Sequence, residues 1–263
     1  MALRPCVIIA RENQASVNIK SALFSLLQPE EKGEGLWSAQ DFDIAEYSGS
    51  IIEIVPERDA EYYIFASTHK SKSNSKSLTV HTPGNWNAAD MGGLPRTLNI
   101  ALPIQLKAAA QKMAQLAPSL PGWQVSVEVD HHGPTLSRPV MFAEIGSTEA
   151  EWSVPEAGKI VAEAIVAAIR CRESYPVKIG FGGTHYAPKF TPKITGGQEA
   201  FGHLVSGYSL ERAAPDEEMV MQAFSKNSPK AAGAMVDWKG VKGEARTALI
   251  SVLDSCGIPW EKA

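Results

Sequence analysis

Histidine and carboxylate side chains occur in four short polar motifs, and each motif follows an apolar stretch of the sequence. The motifs are HTPGNW from His81, DHHGPT from Asp130, EIGST from Glu144 and GGTHYAPKFT from Gly182. Neutral imidazole is a common ligand of zinc, and a catalytic zinc usually takes three protein ligands and leaves one position for water. The residue types therefore suit a metal-dependent site that activates water.

Candidate ligands come from all of these motifs. The adjacent pair His131 and His132 points to opposite sides of an extended backbone, so both can face one site only if the chain turns, and Gly133 with Pro134 supplies a turn. We expect Asp130 to orient an imidazole through its second ring nitrogen. The candidate ligands are His81, His131, His132, His185 and Glu144.

A set of buried, hydrogen-bonded histidines is the alternative to a metal site, because no fixed-spacing signature such as H-E-x-x-H occurs. This alternative is weakened by the Gly- and Pro-containing loops that hold the motifs, since binding and catalytic residues are often placed on loops. His69 and His203 lie outside the motifs, and we expect His203 to be structural. The three cysteines form no C-x-x-C pair, so they predict neither a disulfide framework nor a thiolate zinc site.

The glycines of GFGG, residues 180–183, allow a ligand to approach the backbone closely. The G-x-G-x-x-G fingerprint of a dinucleotide site fails here, because its last position is His185. We expect the N–H groups of Gly182 and Gly183 to be free to hold a carboxylate, a ribose oxygen or an oxyanion. Further along, Ser147 and Thr148 are expected to cap a helix rather than act as a nucleophile, because no G-x-S-x-G elbow is present.

The elements that must position these motifs alternate between strand and helix patterns. This alternation predicts one α/β domain over residues 1–263, with a mixed, largely parallel sheet flanked by helices. Ligands of such sheets bind outside the carboxyl ends of the strands, so the motifs are expected to converge there. The predicted strands are 6–10, 50–55, 62–66, 78–80, 124–129, 140–145, 177–181, 203–208 and 234–238. The predicted helices are 15–27, 102–116, 155–170, 216–224 and 244–253, and 28–41 is predicted to be a connection.

The overall charge gives no general attraction to nucleic acid, because the net charge is -4 and binding depends on Lys and Arg neutralising phosphates. Any RNA contact is therefore expected to be local, and the candidate is the stretch from Lys70 to Lys76. No apolar run reaches the roughly 20 residues that cross a bilayer, and the amino terminus resembles a strand more than a signal peptide. We expect a cytoplasmic protein that, without a heptad pattern, is monomeric.

Together, DHHGPT, EIGST and GGTHYAPKFT, with HTPGNW upstream, resemble the archaeal and plant type of D-aminoacyl-tRNA deacylase over most of the chain. The resemblance implies a zinc-dependent enzyme (Zn2+) that hydrolyses the ester joining a D-amino acid to the terminal adenosine of tRNA. It implies an α/β fold similar to the phosphorylase and peptidyl-tRNA hydrolase folds. It places metal binding on His81, His131, His132, His185 and Glu144, with catalysis expected at His132, His185 and Glu144.

The implied substrate, D-aminoacyl-tRNA, has a nucleic acid part and an aminoacyl part. The residues expected to contact tRNA phosphates are Lys70, Lys72, Lys76, Arg138 and Lys189. The residues expected to form the aminoacyl pocket are Gly182, Gly183, Thr184 and Tyr186. Two alternatives stay open: a related metal-dependent hydrolase that acts on peptidyl-tRNA or a small amide, and a tRNA-binding protein without catalysis in which the histidines are structural.

Overall fold

Strands in a computed structural model, which describes residues 3–72 and 74–263, form two main sheets and one short pair. The strands are β1 (Cys6–Ala10), β2 (Glu30–Gly33), β3 (Leu36–Ser38), β4 (Asp43–Tyr47), β5 (Tyr63–Lys70), β6 (Ser77–His81), β7 (Gly84–Asn85), β8 (Thr97–Leu98), β9 (Gln124–Val127), β10 (Val140–Ser147), β11 (Val177–Phe181), β12 (Ala200–Val205), β13 (Gly233–Val236) and β14 (Trp260–Lys262). The α-helices are α1 (Gln14–Leu27), α2 (Pro103–Leu116), α3 (Glu149–Trp152), α4 (Pro155–Arg170), α5 (Thr191–Gly196), α6 (Gly207–Arg212), α7 (Glu217–Ser225) and α8 (Gly243–Ser255).

The larger sheet has eight strands in the order β2-β3-β4-β1-β5-β10-β6-β9. Strands β4, β1, β5 and β10 are parallel to one another, β6 is antiparallel to β10, and β9 is parallel to β6. The mixed α/β architecture predicted from the sequence is therefore confirmed. That the chain forms one domain stays a prediction.

The two faces of the larger sheet differ because side chains alternate along each strand. On β10, Ala143 and Ile145 belong to the core cluster that also contains the buried residues of helices α1, α2 and α4. Phe142 points to the opposite face, where its ring stacks on that of Phe65. Glu144, two residues after Phe142, lies on this same face.

The smaller sheet has four parallel strands in the order β12-β11-β13-β14. Because all four are parallel, their carboxyl ends lie along one edge, where the loop that carries His185 also begins. Hydrogen bonds link this sheet to residues next to the larger one: Asp130 N donates to Leu204 O at 2.7 Å. Helix α2 contacts strands of both sheets, which fixes their relative position.

Helix α4 shows why its segment could be predicted from the sequence. Pro155 lies in the first turn, where its missing N–H has no helical partner, and the apolar side chains Val161 and Ile165 are fully buried. The observed bounds are the predicted ones. Thr148 caps the preceding helix α3 with a capping box, as expected. Within the described residues, no helix is long and apolar enough to span a membrane.

Two predictions around the amino-terminal third are wrong. Residues 50–55 form a turn, in which Ile51 and Ile54, three residues apart, bury together instead of alternating along a strand. The strand of this region that pairs with β1 is instead β4, Asp43–Tyr47. The predicted connection 28–41 contains strands β2 and β3, an edge hairpin in which β2 is exposed and polar and carries no apolar signal.

Candidate metal and catalytic centre

Strands β5, β10 and β6 place polar side chains on the face of the larger sheet opposite the helices. Gly146 of β10 is paired with His69 of β5, and Glu144 is paired with Thr79 of β6. Side chains of paired residues, and of residues two apart on one strand, point to the same face. A Cβ atom at Gly146 would lie 2.6 Å from Cδ2 of His69, so the glycine makes room for this imidazole.

His81 and the DHHGPT motif bring further imidazoles to the same face. His81 ends β6 opposite Phe142, and the two rings stack with their centroids 5.2 Å apart. His132 has a φ of 48°, so the turn expected at Gly133 begins at His132 itself. As a result, the rings of His131 and His132 lie 4.1 and 4.8 Å from the ring of His81.

Glu128 lies at the centre of the cluster. Its Oε1 is 2.9 Å from His69 Nδ1 and 3.7 Å from His185 Nε2. Its Oε2 is 3.4 Å from His81 Nδ1 and 3.7 Å from His131 Nε2. The carboxylate is buried, and within the described part of the chain no donor points at either oxygen with hydrogen-bond geometry. Each oxygen of Glu128 therefore faces its own pair of ring nitrogens.

These donors fit a metal ion. A buried carboxylate without hydrogen bonds is destabilising, and so is the unpartnered Nδ1 of His81, whereas a bound cation would satisfy both groups. Ligand atoms lie within 4.8 Å of one another in each of three overlapping groups. The groups are His81, His131 and His132; His69, Glu128 and His185; and His81, Glu128 and Glu144. Imidazole nitrogens with carboxylate oxygens form the type of donor set that binds zinc.

Burial keeps several of these imidazoles in the neutral form that binds metals. Burial, reinforced by the neighbouring histidines, lowers the pKa of His81 and of His131 well below its ordinary value. Burial lowers the pKa of His132 from 6.5 to about 4, and it also lowers the pKa of His185. These histidines are therefore neutral at pH 7 and have lone pairs available to a cation.

The pKa values of His69 and Glu144 are raised rather than lowered. Burial favours neutral His69, but its contact with the Glu128 carboxylate outweighs this effect and raises the pKa of His69. Burial, together with the charge of Glu128, raises the pKa of Glu144 from 4.5 to about 8. Glu144 can therefore carry a proton at neutral pH when no cation is bound nearby.

A cavity of about 810 Å³ opens onto the cluster. The residues of the cluster on its wall are His69, His131, His132, His185 and Glu144. From there the cavity extends to Lys70, to Asn13 at the start of α1, and to Trp152 of α3. Its volume is in the range of small-molecule sites.

The structure thus brings together every ligand proposed from the motifs, namely His81, His131, His132, His185 and Glu144. Asp130 does not join them. Its Oδ2 is 2.6 Å from His203 Nδ1, and its Oδ1 accepts a hydrogen bond from Leu204 N. The expectation that Asp130 orients a metal-binding imidazole is therefore wrong, because this carboxylate faces the smaller sheet.

The motifs missed two members of the cluster, Glu128 and His69. Glu128 follows β9 as the one carboxylate within the apolar pattern VSVEV, two residues before Asp130. A charged residue inside such a pattern is a signal for a buried partner, since unpaired carboxylates are almost never buried. His69 lies in β5, which continues past the predicted end at residue 66 through STHK.

The glycines of the predicted aminoacyl pocket are engaged elsewhere. Gly182 N donates to Val205 O at 2.7 Å, and Gly183 N donates to Gly240 O at 3.2 Å. The expectation that these N–H groups are free is therefore wrong, because the left-handed backbone at both glycines turns them toward β12 and the loop after β13. Neither glycine lies on the wall of the 810 Å³ cavity, and the same holds for Thr184, which is exposed.

Tyr186, also predicted for the pocket, supports the cluster from outside. Its hydroxyl lies 3.0 Å from His69 Nε2 and donates to Ser71 Oγ at 2.9 Å. This contact fixes the ring of His69 while its Nδ1 faces Glu128. Tyr186 therefore positions a candidate ligand and does not line the cavity.

The cations predicted to contact tRNA fall into two groups. Lys70 lies on the cavity wall, and the exposed residues Lys72, Lys76 and Lys189 have no carboxylate within ion-pair distance in residues 3–72 and 74–263. Arg138 differs, because it forms a two-pronged ion pair with Asp59 at 2.7 Å. Arg138 also precedes β10, at the end opposite Gly146, so its charge is neutralised and distant from the cluster.

Comparison with known proteins identifies the family of the chain. The sequence model of the D-aminoacyl-tRNA deacylase family matches residues 56–261. The D-aminoacyl-tRNA deacylase of Methanoregula boonei is 38% identical over 98% of this chain, which spans 58% of that relative's length. The Pyrococcus furiosus enzyme of the same name is 37% identical over 82% of this chain and 79% of its own length. The D-aminoacyl-tRNA deacylase of Methanocaldococcus jannaschii is 38% identical over 84% of this chain and 90% of its own length.

A solved structure shares the fold throughout. It is the crystal structure of a conserved protein of unknown function, with a TM-score of 0.91 and 32% sequence identity. The match covers 99% of this chain and 95% of that one. From the family match and these identities, the chain belongs to the D-aminoacyl-tRNA deacylase family, as its motifs predict.

Proposed function

We propose that the chain hydrolyses the ester bond between a D-amino acid and tRNA and releases the free D-amino acid and the tRNA. Family membership supports this reaction. The observation that carries the proposal is the cluster of imidazoles and carboxylates on the wall of the 810 Å³ cavity. Hydrolysis of an ester needs an activated water, a stabilised oxyanion and a proton for the leaving ribose oxygen, and such groups can supply them.

Zinc is the ion that we propose for the cluster, because its donors are imidazole nitrogens and carboxylate oxygens. When bound, zinc would supply Lewis acidity, which lowers the pKa of a bound water and polarises a carbonyl. Its ligands would be drawn from His81, His131, His132 and Glu144, to which the geometry adds Glu128 and His69. Glu128 is the member that most strongly indicates a bound cation, since both of its oxygens lack hydrogen bonds within the described residues.

Three of the five cluster residues on the cavity wall, His132, His185 and Glu144, are the candidates for proton transfer. The side chain of His185 is 33% exposed, far more than that of His69 or His81, so water and substrate reach it most easily. Burial lowers the pKa of His185, so its neutral ring can accept a proton from water. We therefore propose His185 as general base, a role in which its accepting nitrogen does not ligate the ion.

Recognition of the substrate is divided between the cavity and the lysines beside it. We propose that the aminoacyl group lies in the 810 Å³ cavity rather than against the glycines of residues 180–183. The lysines proposed to contact phosphates are Lys70, Lys72, Lys76 and Lys189. Phosphate contacts carry no base information, which suits an enzyme that accepts many tRNAs. We propose a cytoplasmic location, because tRNA is charged and used there, and the monomeric state stays a prediction.

A substrate panel tests this proposal against its alternatives. Purified protein is given D-aminoacyl-tRNA, N-acetyl-L-aminoacyl-tRNA as a peptidyl-tRNA analogue, and a simple amide, and release from each is followed. We expect release only from the D-aminoacyl ester. His185→Gln should abolish release while leaving binding of uncharged tRNA intact, because the imidazole acts on the ester and not on the phosphates. Preferred cleavage of the peptidyl-tRNA analogue or the amide would instead support the related hydrolase.

A further inference from the structure

A second basic surface lies beside the carboxyl edge of the smaller sheet, in residues that the proposed function does not use. Trp238 follows β13 and Trp260 begins β14, and their rings are within 9° of parallel with centroids 6.3 Å apart. The guanidinium carbon of Arg246 lies 4.5 Å from the centre of the Trp238 ring, and Lys262 Nζ lies 4.1 Å from it. We call this the Trp238 surface, comprising Trp238, Trp260, Lys239, Lys242, Arg246 and Lys262.

The cations of the Trp238 surface are not neutralised by ion pairs. Across the described ranges, no carboxylate lies within ion-pair distance of any of them, whereas nearby Lys178 contacts both Glu199 and Glu261. Arg246 donates instead to the carbonyl oxygens of Trp238 and Val241, which leaves its charge uncompensated. In a chain of net charge -4, such a group of free cations marks a local site for a polyanion.

Contact with Trp238 also holds two of these charges in place. A cation over an indole ring is attracted by the ring's quadrupole, and Arg246 and Lys262 both lie within the range of this attraction. Long basic side chains normally lose rotamer freedom when they bind a ligand. Here part of that freedom is already lost in the free protein, so less is lost when a ligand binds.

The Trp238 surface is joined directly to the loop that carries His185. Gly183 N donates to Gly240 O at 3.2 Å, and Gly207 N donates to Gly183 O at 2.9 Å. His185 is two residues after Gly183, and Trp238 is two residues before Gly240. With 3.8 Å between consecutive Cα atoms, Trp238 lies within roughly 20 Å of His185. A few unpaired nucleotides can span this distance.

We infer that the Trp238 surface binds the phosphate backbone of the 3′ strand of tRNA while the terminal adenosine and its aminoacyl group occupy the cavity. This inference rests on the proposed function. Lysines and arginines that neutralise phosphates bind nucleic acid without reading its sequence. The Trp238 surface then holds the strand on the Tyr208 side of His185, and Ser71, between Lys70 and Lys72, lies on its Tyr186 side.

Binding of uncharged tRNA over a range of salt concentrations tests the inference. The test variant is Lys239→Ala with Lys242→Ala. The matched control is Lys112→Ala with Lys159→Ala, which removes the same charge from helices α2 and α4, outside the Trp238 surface. We expect the test pair to weaken binding by about tenfold and to reduce the slope of log Kd against log salt by roughly 1.5, as for two lost phosphate contacts. The control pair should change neither quantity.

Kinetics on two substrates separate this surface from the catalytic site. We expect the test pair to raise KM for D-aminoacyl-tRNA with kcat retained, and to hydrolyse a D-aminoacyl ester of adenosine as the unmodified protein does. Equal tRNA binding by the test and control pairs would overturn the inference. If the unmodified protein fails to hydrolyse D-aminoacyl-tRNA, the proposed function fails, and the binding assay with uncharged tRNA still decides the role of the surface.

Discussion

Glu128 Oε1 lies 2.9 Å from His69 Nδ1, and this contact joins two residues that lie outside the polar motifs of the sequence. The same carboxylate reaches His185 through Oε1 and both His81 and His131 through Oε2. A single side chain therefore connects imidazoles from four separate segments of the chain. This connection makes Glu128 the residue whose change should have the widest effect on the site.

Glu128→Gln should remove metal and activity together. Glutamine keeps the size of the side chain but replaces an anionic oxygen with an amide NH2, which cannot bind a cation. We expect metal affinity to fall by at least ~100-fold, with a similar or larger loss in kcat/KM. Metal content by atomic emission and the rate of D-tyrosine release check this. Glu149→Gln, on the cavity wall but outside the cluster, is the control, and retention of metal by Glu128→Gln contradicts the assignment.

Gly146→Ala should damage the cluster without replacing any proposed ligand. The added Cβ would meet His69 Cδ2 and Ser77 Oγ, each at 2.6 Å, so the imidazole must move. We expect a loss of about 1–3 kcal/mol in the free energy of unfolding and weaker metal binding. Urea unfolding and metal titration measure the two effects. Gly196→Ala, where a Cβ has no atom within 4 Å, should change neither, and normal metal affinity in Gly146→Ala would show that His69 is not needed.

His203→Ala should destabilise the fold without altering the chemistry. His203 Nδ1 lies 2.6 Å from Asp130 Oδ2 in a fully buried pair, and burial raises the pKa of Asp130. Removing the imidazole leaves this carboxyl without its main partner, at a cost of about 3 kcal/mol. We expect a lower Tm but an unchanged kcat/KM and metal content for the folded fraction. A variant of normal Tm that has lost its metal would make His203 part of the site.

Acid should destabilise the metal-free protein because the cluster holds its histidines neutral. The pKa of His132 is about 4 in the folded state against an ordinary 6.5, so between these values the unfolded chain binds more protons. His132 alone should therefore lower the free energy of unfolding by up to ~3 kcal/mol as the pH drops from about 6.5 to 4. His81 and His131, whose pKa is also lowered by burial, add to the fall. Glu144 acts in the opposite sense between about pH 8 and 4.5, because burial raises its pKa to about 8.

Urea unfolding of chelated protein at pH 7.5, 6 and 5 measures this dependence. His132→Gln removes one titrating group, so the unmodified chain should lose stability relative to this variant as the pH drops. A constant difference between the two chains at all three pH values would contradict the buried, neutral state of His132.

The motifs predicted much of the site, because glycine and proline mark the turns that carry His131, His132 and His185. They did not predict Glu128 or His69, since these residues lie in or next to strands and reach the site only through strand pairing. Pairing depends on contacts between distant segments, and a shift by one residue moves a side chain to the other face. The pairing of Gly146 with His69 could therefore not be predicted from the sequence.

The direction of β6 could not be predicted from the sequence either. The expectation of a site at the carboxyl ends of parallel strands assumes that the strands run the same way. Strand β6 is antiparallel to β10, so His81 at its carboxyl end lies opposite Phe142, in the first half of β10. The cluster forms on a face of the sheet instead of at its edge, and it converges because the side chains of His81 and Glu144 share that face.

The most direct test of metal-dependent deacylation is release of labelled tyrosine from D-Tyr-tRNA and L-Tyr-tRNA by purified protein, before chelation, after chelation and after zinc is restored. We expect rapid release from the D-substrate alone, loss of that release on chelation and its return with zinc. D-selective release that persists after the metal is verifiably removed would contradict the metal centre. Absence of release from D-Tyr-tRNA in the zinc-loaded protein would contradict the deacylase activity itself.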